Sequence, residues 1–388
     1  MPEIRPGQTD EATLAAVLKA LHERVWSPIA QALPAGTTSV ILSADGELNF
    51  VSFATLLGPD NQFLAQKYLI RYVSSGRDLL RTVPKPTDTR FVFFGNPDFG
   101  ADLKTPAAKS DAAPLMAMRA VERGEMGRLV FQPLPGTQKE CTLLDERARK
   151  GRYQTELRLG AAATEQTLAA VQSPRVLHLA THGFFLPEPA RTEEPQMFGR
   201  SLDAMRPIGR LRNPMYRSGL VLAGAQKTIE AWARGETPPP ESDGILTAEE
   251  VSALHLDGTW LVTLSACETG VGAARSGEGV LGLRRAFVQA GAQHLLVTLW
   301  PISDETTIEI MNQFYTAAFT TADPGRGLAE VQRAWLEKLR KEKGLLFAVN
   351  RAGPFIVSSL GHGAPPAPVK PSAVATPETG ATVSAKAR

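Results

Sequence analysis

His182 and Cys267 are the two side chains of this sequence whose type and setting point to a reaction. His182 lies in Arg175-Val-Leu-His-Leu-Ala-Thr-His-Gly183, and Cys267 in Thr259-Trp-Leu-Val-Thr-Leu-Ser-Ala-Cys-Glu-Thr-Gly270. Each segment reads as a short apolar strand that ends in one reactive side chain, with a glycine close behind. Open α/β sheets bind ligands beyond the carboxyl ends of their strands. A thiol and an imidazole delivered there by neighbouring strands could form a nucleophile–base pair. The thiol needs a base to become a thiolate, and the reaction needs backbone N–H donors for its oxyanion. Gly183 and Cys267 are the natural donors, because glycine lets the backbone approach a carbonyl closely. Singly, each residue reads more readily as a buried structural cysteine or a satisfied core histidine. Their matched strand-end placement favours the dyad. His precedes Cys, the chain order of caspase-type rather than papain-type enzymes.

Other constellations carry less. His178, four residues before His182, makes an H-x-x-x-H pair with no third ligand at metal spacing and no helix to hold it. No metal is expected, and His178 reads as a core histidine bonded to neighbouring backbone. Gly277-Glu-Gly-Val-Leu-Gly282 matches G-x-G-x-x-G, but about ten residues separate it from the preceding strand, so no dinucleotide cofactor is implied. The better reading is an active-site loop and a helix start. Asp304 and Glu305 follow a third strand, His294–Trp300. They are either a solvated helix start or one wall of a specificity pocket selecting Arg or Lys. Cys141 reads as a packing residue.

The elements that must position these residues alternate between strand and helix. Thr9–Leu33 has helical apolar spacing through Leu14, Leu18, Leu21, Val25 and Ile29. Ser39–Leu42, Tyr68–Val73 and Arg90–Phe94 read as strands, with a turn at Asp45-Gly46. Helices are expected over Thr137–Lys150, Thr164–Gln172, Glu278–Ala290, from Asp304, and over Gly327–Lys341. Thr164 is a candidate N-cap and Thr247-Ala-Glu-Glu250 a capping box. Leu186–Asp243 is a Pro-, Arg- and Glu-rich insert holding a short strand near Ser218, and Gly100–Gly127 reads as a loop with one short helix. The expected fold is α/β, a mostly parallel sheet with helices on both faces. Residues 1–35 form an N-terminal helix and 36–360 the main domain, in parts 36–150 and 151–360. Residues 361–388, rich in Ala and Pro, read as a disordered tail.

Composition narrows the function classes. The chain has 388 residues, 43% of them hydrophobic, enough for a full core. Its 42 basic and 40 acidic residues leave a formal charge of +2, which suggests no nucleic-acid partner. The local basic bias is Arg191, Arg200, Arg206, Arg210, Arg212 and Arg217. Two cysteines fit a reducing compartment rather than a disulfide framework. No apolar run approaches the roughly 20 residues of a membrane span, and the start lacks a secretory pattern. A cytoplasmic protein without a membrane partner is expected.

A longer series of motifs resembles the CHAT domain, a caspase-like family related to separases and often joined to tetratricopeptide repeats. The series starts with Asp45-Gly-Glu-Leu-Asn-Phe-Val-Ser-Phe-Ala-Thr-Leu-Leu57, Tyr72-Val-Ser-Ser75, Gly95-Asn-Pro97, Leu134-Pro-Gly-Thr137 and Ala162-Ala-Thr164. It continues with His178-Leu-Ala-Thr-His-Gly183, Ser218-Gly-Leu-Val-Leu-Ala-Gly224, Leu264-Ser-Ala-Cys-Glu-Thr-Gly270 and Gly277-Glu-Gly279. Arg285-Ala-Phe-Val-Gln-Ala-Gly-Ala292 and Leu299-Trp-Pro-Ile302 complete it. Their joint order is the specific signal. The resemblance implies a caspase-like three-layer sandwich and a bacterial cysteine endopeptidase acting on protein or peptide, with His182 as base and Cys267 as nucleophile. It also implies control by a partner or ligand, for instance a tetratricopeptide-type sensor.

This chain departs from the family in three places. No repeat period is visible, so the first helix is either a remnant or the start of a shortened product. The last strand, Pro354–Gly361, lacks the usual Trp. Ser265 stands where Asp-cleaving caspases carry Gln, so Asp specificity is not expected. A basic P1 residue is preferred, with Ser265, Asp304 and Glu305 as pocket candidates. Self-cleavage in the Arg-rich insert would follow from that preference. Two other readings stay open: a dormant interaction or scaffold module, and a thiol-dependent acyltransferase or amidase.

Overall fold

The apolar runs of the sequence become the middle of one sheet. A computed structural model describes residues 10–84, 86, 88–102, 129–185, 214–234, 236, 242–265, 267–268, 277–300, 302 and 304–361. For residues 185, 214, 267–268, 277–281, 304 and 307 it describes the backbone alone. The main-sheet strands are β1 (Ser39–Leu42), β2 (Leu69–Tyr72), β3 (Phe91–Pro97), β4 (Thr155–Gly160) and β5 (Val176–Ala180). They are joined by β9 (Leu261–Leu264), β11 (His294–Thr298) and β12 (Phe355–Ser359). Their order is β1-β2-β12-β11-β9-β5-β3-β4. Each neighbouring pair is parallel except β11 with β12, so β1, β2 and β12 run opposite to the other five. The expected α/β fold with a mostly parallel sheet is therefore present.

Burial along the strands explains the arrangement. All five residues of β5 and all four of β9 are buried. Successive strand residues face opposite sides, so both faces of the sheet are covered, as parallel sheets require. The edge strand β4, Thr-Glu-Leu-Arg-Leu-Gly, is half-buried throughout. Its mixed character gave no apolar run to read, and the sequence analysis missed it. One apolar cluster runs from Leu14 and Leu18 through Phe93, Leu177, Val262 and Leu296 to Val357.

The helices sit near their expected places. α1 (Glu11–Leu21) and α2 (Ser27–Ala32) are joined by a π-helical turn over His22–Trp26, which buries Trp26. α3 spans Pro135–Lys150, and α4 spans Glu165–Ala169 behind its Thr164 cap. α6 (Ala248–Ser252) opens with the Thr247–Glu250 capping box. α7 (Gly277–Gln289) is followed by Gly291 at φ +107°, where a Cβ would meet Asp257. α8 (Asp304–Thr321) packs against both α3 and α9 (Pro324–Lys343). α10 (Leu345–Ala352), not anticipated, follows α9 directly. Asp45 opens a 3-10 turn over Gly46–Phe50, and the strands flanking it pair in parallel rather than as a hairpin.

Most of the Arg-rich insert, the Gly100–Gly127 loop and the tail beyond residue 361 lie outside the described residues. The described part of the insert is more regular than its composition suggested. It contains β7 (Ser218–Val221) and an unanticipated helix, α5 (Ala225–Ala233). No described helix is long and apolar enough to cross a membrane.

One core histidine makes stability depend on pH. His294 Nδ1 lies 2.8 Å from the Ser359 hydroxyl, and its ring stands edge-on to Trp260. Desolvation pushes its pKa down to about 4; Arg71 acts in the same direction and Asp323 opposes. An unfolded histidine titrates near 6.5. The unfolded chain therefore binds the extra proton first as the solution is acidified. The stabilisation is complete above about pH 6.5 and is lost as the pH falls toward 4. A His294→Gln variant should lose less Tm than the wild type between those pH values in calorimetric scans.

Candidate active site

The site lies where two adjacent core strands leave the main sheet together. β5 ends at Ala180, and after Thr181 the chain enters β6 (His182–Phe185). β9 ends at Leu264, and two residues later the chain enters β10 (Cys267–Glu268). With β7 and β8 (Ile245–Thr247) these form a second, four-stranded sheet in the order β10-β6-β7-β8. The sequence reading placed His182 at the end of the β5 strand. Instead it opens a new strand, because the chain bends at Thr181, whose hydroxyl donates to the Val221 carbonyl on β7.

The bend preserves the register of the core. In the main sheet Val176 faces Leu261 and Leu179 faces Leu264, in parallel. In the small sheet His182 faces Cys267 and Gly183 faces Glu268, also in parallel. Every pair keeps one sequence separation, so core packing of β5 on β9 dictates which residue stands opposite His182. Neighbouring strands run about 4.8 Å apart. The two residues singled out by sequence are therefore backbone neighbours at the rim formed by the carboxyl ends of β5 and β9.

The surroundings of His182 fix its tautomer. Its Nε2 is 2.8 Å from the Gln132 carbonyl oxygen. A carbonyl only accepts, so Nε2 carries the proton and donates. In the neutral ring the lone pair then lies on Nδ1, which is buried and has no hydrogen-bond partner among the described residues. Phe99 and Phe131 flank the ring with centroids at 5.2 and 5.9 Å. Desolvation lowers the pKa of His182, and the bond to Gln132 opposes it. The imidazole is thus held neutral, with an oriented basic nitrogen.

Gln132, Phe99 and Phe131 were missed by sequence reasoning. Gln132 acts through its backbone, so its side-chain type carries no signal. A weak one was available in the alternation after residue 128, where Leu129 and Phe131 are buried and Val130 and Gln132 exposed. Phe99, Leu129, Phe131, Phe184 and Ile229 form a second apolar cluster beneath the small sheet.

The remaining candidates fall on several different elements. Gly183 lies in β6 between Glu268 on β10 and Leu220 on β7. Ser265 is buried, and its hydroxyl donates to Glu140 Oε2 at 3.0 Å. Asp304 opens α8, with Glu305 exposed beside it. His178 is a core histidine but not a backbone-bonded one. Its Nδ1 is 3.0 Å from the Tyr315 hydroxyl, so its partners are side chains across the core. Cys141 is fully buried with Sγ 3.5 Å from the Phe94 carbonyl, and burial together with Glu140 and Asp145 pushes its thiol pKa well up. Such a thiol is inert. Among the described residues no group of three or more potential metal ligands occurs.

A mostly parallel α/β sheet that brings a histidine and a cysteine to one rim has the architecture of caspase-like proteins. The CHAT domain family model matches residues 15–367, and the chain belongs to that family, which is related to cysteine peptidases. Tetratricopeptide repeat protein 28 of Homo sapiens is 24% identical over 353 residues, covering 88% of this chain and 13% of that protein. The Mus musculus protein of the same name is 24% identical over 360 residues, again covering 88% and 13%. The chain thus spans a small part of the length of these curated relatives.

The aromatic enclosure can be tested directly. In Phe99→Ala the ring of His182 gains water, and its pKa should move up toward 6.5. Histidine Cε1 proton shifts followed by NMR titration would record this, and an unchanged midpoint would discount the desolvation argument.

Proposed function

We propose that this domain is a cysteine endopeptidase in which Cys267 is the nucleophile and His182 the base. The observation that carries the reading is the β6–β10 register, which sets Cys267 opposite a histidine whose Nδ1 lone pair is unengaged among the described residues. Nδ1 would take the thiol proton as sulfur attacks the peptide carbonyl carbon. The imidazolium would then return that proton to the departing amine, leaving a thioester at Cys267. Water, activated by the same nitrogen, would release the acid and restore the thiol. The low pKa of His182 suits this cycle, because the ring is in its basic form at neutral pH.

The acidic residues at the start of α8, Asp304 and Glu305, are our candidates for selecting a basic P1 side chain. The name of the relatives supports control by a repeat-type sensor. A second reading, a dormant docking module, draws support from the 5% exposure of His182, which leaves a substrate little access without movement.

Two measurements separate these readings. A thiol-reactive activity probe should label Cys267 in the wild type and at least tenfold more slowly in His182→Ala, in line with the usual contribution of a positioned base. Equal labelling would favour the dormant module. Proteome-wide N-terminal profiling of wild type against Cys267→Ala should reveal new termini after Arg or Lys. The same comparison on purified protein tests self-cleavage between residues 186 and 243. Absence of any fragment that depends on Cys267 would remove that extension.

A further inference from the structure

A buried polar chain crosses the core directly beneath the site. Tyr315 on α8 donates its hydroxyl proton to Thr263 Oγ1 on β9 at 2.9 Å. The Tyr315 oxygen therefore accepts from His178 Nδ1 on β5, at 3.0 Å. The other ring nitrogen, Nε2, lies 3.3 Å from Glu140 Oε1 on α3. The second carboxyl oxygen, Oε2, accepts from Ser265 Oγ at 3.0 Å. Glu140, His178, Thr263 and Ser265 are each at most 7% exposed. Ser265 directly follows β9 and stands two positions ahead of Cys267, where β10 begins.

The proton count is constrained. The hydroxyl protons of Tyr315 and Ser265 and the Nδ1 proton of His178 are all committed. His178 Nε2 and Glu140 Oε1 face each other in the dry interior without a hydrogen bond between them.

The element carrying Glu140 also holds the other half of the site. Gln132, whose carbonyl fixes His182, lies in the lead-in to α3. That lead-in is tied to the main sheet at Asn96, which accepts from the Leu134 N–H and whose own N–H donates to Thr137 Oγ1. α3 sits close on β3 because residue 95 is glycine; a Cβ there would come within 2.6 Å of Cys141 Sγ.

We propose that Glu140 is a positioning residue for the nucleophile. Its carboxyl, braced by His178, clamps Ser265 and so fixes where β10 begins, while the same helix and its lead-in hold His182. The proposal rests on the Cys267–His182 reading and assigns Ser265 to the clamp rather than to a substrate pocket.

The test is site-resolved alkylation of the full chain by iodoacetamide between pH 5 and 10, read by peptide mass spectrometry at Cys267. Ser265→Ala removes one small hydroxyl and should leave the fold intact by circular dichroism. It should slow alkylation at pH 7 about tenfold, a modest loss for displaced reacting groups, and move the pH midpoint up toward the free-thiol value of about 8.5. Glu140→Ala should do the same or worse. Glu140→Gln can still accept from Ser265 and donate to His178 Nε2, and should recover most of the rate that Glu140→Ala loses. Wild-type rate and midpoint in folded Ser265→Ala would overturn the proposal. So would a slowing that tracks lost Tm and that Glu140→Gln does not mend. If the wild type is itself no faster than His182→Ala, the dyad fails and the clamp with it. His182-dependent reactivity untouched by Ser265→Ala removes the clamp alone.

Discussion

The register between β5 and β9 is the constraint on which the site depends. Both strands are wholly buried, so a slip of one residue would turn every apolar side chain of one strand to the opposite face. That cost is borne by the core, by Val176, Leu177, Leu179, Leu261 and Val262, none of which reacts with anything. Because pairing resumes in the small sheet at the same sequence separation, the register is handed on unchanged to His182 and Cys267. The opposition of these two residues across the strands is thus fixed by hydrophobic packing several residues upstream.

The same division decides what the sequence reveals. β5, β9 and β11 were legible because their burial on both faces leaves continuous apolar runs, and His182 and Cys267 stood out as polar exceptions beyond them. The caps at Thr164 and Thr247 were legible because capping is local. The half-buried edge strand β4 lacked a periodic signal, and α5 was masked by the polar composition around it. The switch of sheet at Thr181 was hidden, since it rests on a hydrogen bond to Val221, 40 residues away. Gln132 was hidden for a different reason: a carbonyl oxygen belongs to every residue, and only the fold chooses which one meets an imidazole. Ser265 was singled out for its place two before the cysteine, but its hydroxyl partner lies on a helix 125 residues earlier.

Burial also sorts the two histidines of the H-x-x-x-H stretch. His178 is wholly enclosed, bonded to Tyr315 through Nδ1 with Nε2 facing Glu140 Oε1 at 3.3 Å, whereas His182 is bonded through Nε2 and its Nδ1 is left open among the described residues. Glu140 and His178 face each other almost wholly out of contact with water, where a polar group left alone is costly. Retention of such a pair in the core is a liability for stability alone. It is more readily understood as a device for specifying one arrangement of α3, β5 and β9.

The reversed direction of β1, β2 and β12 gives the domain two unlike ends. β12 is antiparallel to β11, so Ser359 pairs with His294, at the start of a strand whose far end points to the His182 rim. Leu360 and Gly361 are bonded there, to Gln293 and Asp78. β1 likewise begins on the His182 rim, and the α1–α2 segment precedes it. β1 therefore starts at the rim that carries His182, and β12 ends at the opposite pole. The two ends of the sheet thus present different traffic, strand starts of β1, β2 and β12 on one and their carboxyl ends on the other.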